Sequence, residues 1–130
     1  KLITTLKVKT IKNIKLPVSA PFHCSLMSKA TDIMTNELEK LDFLNSKNKL
    51  ISNVTAKEIS NIDELKDLLI KQIENRVRWR ESVINMINGG VKHFIEIGPG
   101  KVLSGLVKRI NREVKIDTIN NQEDIKNLKI

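Results

Sequence analysis

The sequence has 130 residues and a mass of 14.8 kDa, a length that gives one domain with room for a hydrophobic core. Hydrophobic residues make up 40% of the chain and charged residues 29%, which excludes an intrinsically disordered protein. A single cysteine excludes an internal disulfide and is typical of a reducing compartment. No apolar run approaches the ~20 residues of a membrane span, so we expect a cytoplasmic location and no membrane partner.

The net charge of +8 and the isoelectric point of about 9.7 favour an anionic partner. Most of the 23 cationic residues are lysines scattered among acidic neighbours, and they form no basic stripe. Aromatic residues make up 3% of the chain, and there is no tyrosine, so stacking platforms for nucleic-acid bases are almost absent. A basic nucleic-acid-binding domain is therefore a distant alternative, and we expect no nucleic-acid partner.

The first half of the chain shows two strand patterns and two helix patterns. Apolar residues at 6, 8, 14 and 16 alternate with lysines and predict one or two edge strands that end at Pro17. A 3.6-residue apolar period predicts an amphipathic helix from Cys24 to about Leu41. Residues Leu50 to Val54 predict a short strand, and Asn61 or Asp63 is expected to cap the next helix, whose apolar face is Ile62, Leu65, Leu69 and Ile73.

The second half alternates between helices and strands. The predicted elements are a helix from Val77 to about Asn88 that stops at Gly89–Gly90, a strand from His93 to Ile97, a turn at Gly98–Pro99–Gly100, a helix from Lys101 to about Asn111, a strand from Val114 to Ile119 and a weak helix from Gln122 to Ile130. This alternation predicts an α/β fold with a mostly parallel sheet. Trp79 lies at helical spacing from Val83 and Met86 and is expected in the core.

Few residues are candidates for chemistry. Cys24 lies next to His23, but adjacent residues at a helix start point in different directions, so we interpret Cys24 as a packed side chain. Two histidines and one cysteine without ligand spacing give no metal site. His93 opens an apolar strand and is interpreted as structural. The stretch from Gly98 to Lys101 lacks most of a P-loop and is interpreted as a turn, although its free N–H groups could hold an anion.

His23 has two interpretations. Pro21 restricts the backbone just before it, and Phe22 can cover one side of its ring. A histidine held this firmly at the entry to a helix suits a general base, which depends on accurate placement. A structural role fits the same residues, and the local pattern leaves both interpretations open.

Three blocks in the chain resemble the malonyl-CoA:acyl-carrier-protein transacylases. They are VSAPFHCSLM from Val18, QIENRVRW from Gln72 and IEIGPGKVLSGLVKRI from Ile95, in the order of the family, and the resemblance extends from about Ile14 to Ile119. It implies that residues 18–130 are the C-terminal part of a large α/β-hydrolase-like acyltransferase domain. Residues 1–17 would be the end of the family's small ferredoxin-like subdomain.

The resemblance also implies residue roles. His23 stands at the position of the catalytic base, and Gln72 at the position whose main-chain carbonyl orients that base. The family usually has proline where this chain has Arg76, and without proline the helix before it could run on and displace that carbonyl. No G-x-S-x-G serine elbow occurs in the sequence, so we expect the chain alone to be inactive.

The activity implied is transfer of a malonyl group from coenzyme A to the phosphopantetheine thiol of acyl carrier protein through an acyl-serine intermediate. Coenzyme A and the carrier's arm are substrates in this chemistry, and no cofactor or metal is expected. The expected partners are malonyl-CoA, acyl carrier protein and the missing N-terminal half of the enzyme. Phe22, Lys101 and Arg109 are candidate substrate-binding residues, with Lys108 and Arg112 as further cations. A catalytically inactive fragment, or a remnant that only binds coenzyme A or the carrier, is the alternative.

Overall fold

The computed structural model describes residues 2–10, 12–13 and 18–128. Its elements, in chain order, are helix α1 (Leu2–Val8), a 3-10 turn (Ser25–Met27), helices α2 (Ser28–Glu39), α3 (Ile62–Lys71) and α4 (Trp79–Asn88), strand β1 (His93–Ile97), helix α5 (Val102–Ile110), strand β2 (Lys115–Ile119) and helix α6 (Gln122–Asn127). None of the helices in this described part has the length and apolar character that a transmembrane span needs.

The β1–α5–β2 unit confirms the predicted α/β character. The two strands pair in parallel, with a register that runs from His93 opposite Lys115 to Ile97 opposite Ile119. Helix α5 connects them, as parallel strands require a long crossover. The buried core joins this unit to helix α4 and is formed by Val83, Val107 and Val114, with six partly buried apolar residues packed against it: Trp79, Met86, Ile87, Phe94, Ile110 and Ile116.

The predicted N-terminal strand is wrong over its first part. Leu6 and Val8 lie in helix α1, which ends in a turn where Thr10 adopts a positive φ of 56°. A strand needs a neighbouring strand to pair its backbone groups, whereas a helix pairs them within itself. The rest of that prediction, at residues 14–17, lies outside the described residues, and the boundary after residue 17 stays a prediction.

The predicted strand from Leu50 to Val54 is also wrong. Only one antiparallel bridge forms there, between Ile51 and Glu58. The chain between them folds into a turn in which the Ser52 hydroxyl accepts a hydrogen bond from the Val54 N–H at 3.1 Å. Serine offers the backbone such local partners and thereby competes with strand pairing.

The predicted helices all form, and their boundaries differ from the prediction by a few residues. Asn61 caps α3 by accepting a hydrogen bond from the Glu64 N–H, and Gly89 follows the end of α4. Helix α2 forms with the predicted period, but Leu38 is its only buried residue, and Ile33 remains 63% exposed. Much of the apolar face of α2 is therefore uncovered within the described part of the chain.

Val83 is fully buried at the centre of the core, so its truncation leaves a cavity. We expect Val83→Ala to lower the free energy of unfolding by about 2 kcal/mol, measured by chemical denaturation. The matched control is Val102→Ala in α5, where the side chain is 72% exposed and alanine is the better helix former. Equal losses in the two variants would contradict the placement of the core.

Candidate active site

His23 lies in the bend between Phe22 and the 3-10 turn, and its backbone is unusual. Its φ is +62°, a left-handed conformation that costs an ordinary residue about 1–2 kcal/mol. Its N–H donates a hydrogen bond to the Ile73 carbonyl at 3.2 Å, across a separation of 50 residues in the chain. A contact outside the local segment thus holds the backbone of His23 in a strained position, which is typical of functional residues.

The ring of His23 contacts the end of helix α3. Its Nδ1 lies 2.8 Å from the main-chain oxygen of Gln72, the residue that follows the last turn of α3. Carbonyls at a helix C-terminus lack an intrahelical partner and carry partial negative charge. A carbonyl oxygen can only accept a hydrogen bond, so this contact requires the proton on Nδ1. The neutral ring then presents the lone pair of Nε2, the form that a general base needs.

Arg76 does not extend helix α3. The helix ends at Lys71, and the Asn75 side chain donates a hydrogen bond to the Lys71 carbonyl at 2.7 Å. Arg76 itself is exposed and lies 3.6 Å from the Glu81 carboxylate. Helix α3 therefore ends before Gln72 although position 76 is not proline, and the Gln72 carbonyl faces His23.

Helix α2, which follows His23, is bonded to the segment between α3 and α4 that also contains Gln72. The Thr31 hydroxyl donates a hydrogen bond to the Glu74 carboxylate at 2.6 Å. Cys24 takes no part in this contact, because its thiol lies half-buried and donates back to the Pro21 carbonyl at 3.1 Å. The structure thus brings His23 and Gln72 together, while the neighbouring thiol is hydrogen-bonded to Pro21.

The anion-binding groups of the Gly98–Gly100 turn are largely occupied by the protein itself. Gly100 donates its N–H to the Asn120 side chain at 2.6 Å. The Glu96 carboxylate accepts the N–H groups of Leu103 and Ser104 at 3.0 and 2.7 Å, at the start of α5. The Ser104 side chain and these N–H groups hold the pKa of Glu96 below its ordinary value. The turn therefore shapes the chain between β1 and α5, and its helix N-terminus already holds a carboxylate.

The other candidate residues occupy different places. Lys108 donates to the carbonyls of Arg112 and Val114 at 2.7 and 3.3 Å, which closes the end of α5. Lys101 is exposed just before the start of α5, and Arg109 is exposed within that helix. Phe22, next to His23, is 57% exposed. Their roles toward a substrate stay predictions.

The second histidine belongs to the sheet. His93 Nε2 lies 2.7 Å from an Asp117 oxygen on the neighbouring strand, and this contact, with Lys115, lowers the pKa of Asp117. Within residues 2–10, 12–13 and 18–128, no group of three or more metal-ligating side chains is close enough to hold an ion.

Asn53 is a site residue that sequence reasoning missed. Its side-chain amide donates to the Gln72 side-chain oxygen at 3.1 Å, and its carbonyl accepts the Arg78 N–H at 2.8 Å. Asn53 falls in a stretch that was predicted as a strand, and a hydrogen bond to a residue 19 positions away leaves no local pattern. Only the folded chain reveals the contact.

Comparisons with known proteins point to one enzyme. The malonyl CoA-acyl carrier protein transacylase of Bacillus subtilis strain 168 is 43% identical over 112 residues, which is 86% of this chain and 35% of the relative. The enzyme of the same name from Staphylococcus aureus strain COL is 40% identical over 111 residues, or 85% of this chain and 36% of the relative. No protein-family model matches the chain.

Solved structures agree with these relatives. An acyl-carrier-protein S-malonyltransferase from Bartonella henselae superposes with a TM-score of 0.87 at 38% identity, covering 96% of this chain and 40% of that one. A malonyl-transacylase in complex with a type II PKS acyl-carrier protein gives a TM-score of 0.84 at 33% identity, covering 95% and 40%. The chain spans little more than a third of the curated relatives that it matches. It is thus related, over most of its length, to the malonyl CoA-acyl carrier protein transacylases, and it has the fold of their C-terminal part.

Proposed function

We propose that this chain carries the general base of a malonyl-CoA:acyl-carrier-protein malonyltransferase, and that the nucleophilic serine comes from outside these 130 residues. The observation that carries the proposal is the 2.8 Å contact between His23 Nδ1 and the Gln72 carbonyl. It supports a histidine whose Nε2 is unprotonated and exposed toward a reacting group. The names of the relatives supply the substrate class.

In the proposed mechanism, Nε2 of His23 takes the proton of the serine hydroxyl as its oxygen attacks the thioester carbonyl of malonyl-CoA. The carbonyl of Gln72 stabilises the imidazolium that forms, in the place of the aspartate of a Ser-His-Asp triad. Collapse of the tetrahedral intermediate expels the coenzyme A thiolate, which takes the proton from His23. In the second half, His23 takes the proton of the phosphopantetheine thiol, which attacks the acyl-serine, and then returns a proton to the serine. No resident cofactor takes part in this scheme.

Exposed apolar residues on and around α2 support the proposal that another polypeptide segment, which bears the serine, covers this surface. Ile33 in α2 is 63% exposed, Leu26 in the 3-10 turn before it is 76% exposed and Leu41 just after it is 53% exposed, while Ile97 at the end of β1 is 79% exposed. An apolar face of this extent on the element that follows His23 is expected to be covered in the working protein. The relatives are more than twice as long as this chain, and we assign the covering role to the part of them that this chain does not match. That part either continues the same polypeptide or is a separate one.

The chain alone is expected to transfer no malonyl group, because a base without a nucleophile cannot form the acyl-enzyme. Incubation with labelled malonyl-CoA and acyl carrier protein should leave the carrier unlabelled. Transfer of label that survives His23→Ala would show that other residues perform the chemistry.

Complementation tests the role of His23 directly. The unmatched N-terminal part of the Bacillus subtilis relative, supplied as a separate polypeptide, should bind this chain and restore malonyl transfer. His23→Ala should then lower kcat by about 100- to 10,000-fold, the range for loss of a general base. Cys24→Ala is the matched control on the adjacent residue, with kcat expected within about twofold, since the thiol only donates to Pro21.

Two outcomes of that experiment would count against the proposal. Near-full activity of His23→Ala would remove His23 from the mechanism. Binding of the N-terminal part without any malonyl transfer, in a properly folded complex, would favour the inactive remnant that only binds substrate or carrier.

Substitutions of Gln72 separate its main chain from its side chain. Gln72→Ala keeps the carbonyl that faces His23 and loses only the contact with Asn53, so the complemented activity should fall about fivefold. Gln72→Pro removes the N–H that donates to Leu68 and distorts the end of α3, at a cost of about 3 kcal/mol, and should abolish activity. Loss in Gln72→Ala as large as in His23→Ala, with an unchanged circular dichroism spectrum, would make the side chain the working group.

A further inference from the structure

The turn formed by residues 52–57, here called the Asn53 turn, holds both ends of the segment that carries the Gln72 carbonyl. At one end, the Asn53 side-chain amide donates to Gln72 Oε1 at 3.1 Å. At the other end, the Arg78 N–H donates to the Asn53 carbonyl at 2.8 Å. One residue thereby contacts the beginning and the end of the seven-residue link between α3 and α4.

The Asn53 turn is itself a rigid structure. The Ser52 N–H donates to the Lys57 carbonyl, and the Ala56 N–H donates to the Ser52 carbonyl, both at 2.9 Å. Ala56 is only 2% exposed and adopts a left-handed φ of 60°, which the surrounding contacts must hold. The Asn85 side chain of α4 donates to the Ala56 carbonyl at 2.9 Å. The turn is thus fixed to the same helix that supplies Val83 to the core.

These contacts form a continuous path from the core to the histidine. Helix α4 holds the turn, Asn53 holds Gln72, and Gln72 accepts the hydrogen bond of the His23 ring. The path matters because the Gln72 peptide follows the last helical turn, where fewer intrahelical bonds restrain its rotation. A side-chain anchor on Gln72 limits the directions that its own carbonyl can take.

We infer that Asn53 is a positioning residue, which aims the Gln72 carbonyl at His23 Nδ1 through its bond to the Gln72 side chain. This inference deepens the proposed function and rests on it for its catalytic meaning. Asn53 contacts no reacting group and acts only through Gln72. Its removal should therefore shift the His23 ring toward the tautomer protonated on Nε2, which cannot act as the base.

The chain has only two histidines, so nitrogen NMR of the imidazole rings reads this shift without overlap. In the full chain, we expect the neutral ring of His23 to carry its proton on Nδ1. Asn53→Ala should reduce the ratio of the Nδ1–H to the Nε2–H tautomer about fivefold, the equivalent of one neutral hydrogen bond. Gln72→Ala should give the same reduction, and the double variant should give no more, because both substitutions remove one bond.

Two internal references separate positioning from general loosening. Asn45 is an exposed asparagine in the loop before the turn, and Asn45→Ala should leave the tautomer ratio of His23 unchanged. The ring signals of His93, which is bonded to Asp117 in the sheet, should stay unchanged in every variant. Asn53→Ala could unfold the chain, which would show as loss of the His93 signals. Gln72→Met then replaces it, because methionine keeps the length of the side chain without its oxygen acceptor and should give the same reduction of the tautomer ratio.

An unchanged His23 ratio in a folded Asn53→Ala or Gln72→Met variant would overturn the inference. An additive reduction in the double variant would overturn the path through the Gln72 side chain, as would an equal reduction in Asn45→Ala. The measurement needs no turnover, so it stands apart from the complementation experiment. If the tautomer ratio of His23 changes as expected in the Asn53 variant but the complemented protein transfers no malonyl group, only the proposed function is contradicted.

Discussion

A carbonyl oxygen can only accept a hydrogen bond, and the contact between Gln72 and His23 therefore decides which ring nitrogen carries the proton. A carboxylate in its place would fix the same tautomer but would add a charge that needs its own partners. The end of a helix provides an acceptor without that desolvation cost, because its last carbonyls are unpaired and lie at the negative end of the helix dipole. The direction of one peptide group thus becomes critical, and the surrounding contacts serve to fix it.

Those contacts also explain how His23 tolerates its left-handed backbone. A φ of +62° is unfavourable for any residue with a side chain, so it persists only where neighbours determine it. The Ile73 carbonyl holds the backbone N–H, and the Thr31–Glu74 bond holds the helix that follows. Both reach the short segment after α3 that also presents Gln72. The main chain and the ring of His23 are therefore fixed by one segment, and a shift of that segment would move them together.

The sequence predicted what is locally encoded and missed what depends on distant partners. The β1–α5–β2 unit and the Asn61 cap follow from apolar periods, glycines and capping residues within a few positions of each element. The strand predictions at Leu6 and at residues 50–54 were wrong, because alternating residues form a strand only where another strand pairs with them. The pairing of His23 with Gln72 came from resemblance to a family and from no local pattern. Asn53 had neither a local signal nor a known motif, and its contacts became visible only in the fold.

The exposed face of α2 and the placement of His23 are physically linked. Helix α2 begins at Ser28, five residues after His23, and within the described residues it is held by packing on α3 and by the Thr31–Glu74 bond. Burial of apolar surface contributes about 25 cal/mol for each Å², so covering Leu26 in the 3-10 turn and Ile33 in α2 would stabilise this stretch by several times the value of that one bond. In the proposed function, the polypeptide that covers this face also brings the serine. Association would then supply the nucleophile and stabilise the helix that follows the base in the same event, while the Gln72 carbonyl orients the ring of His23 already in this chain.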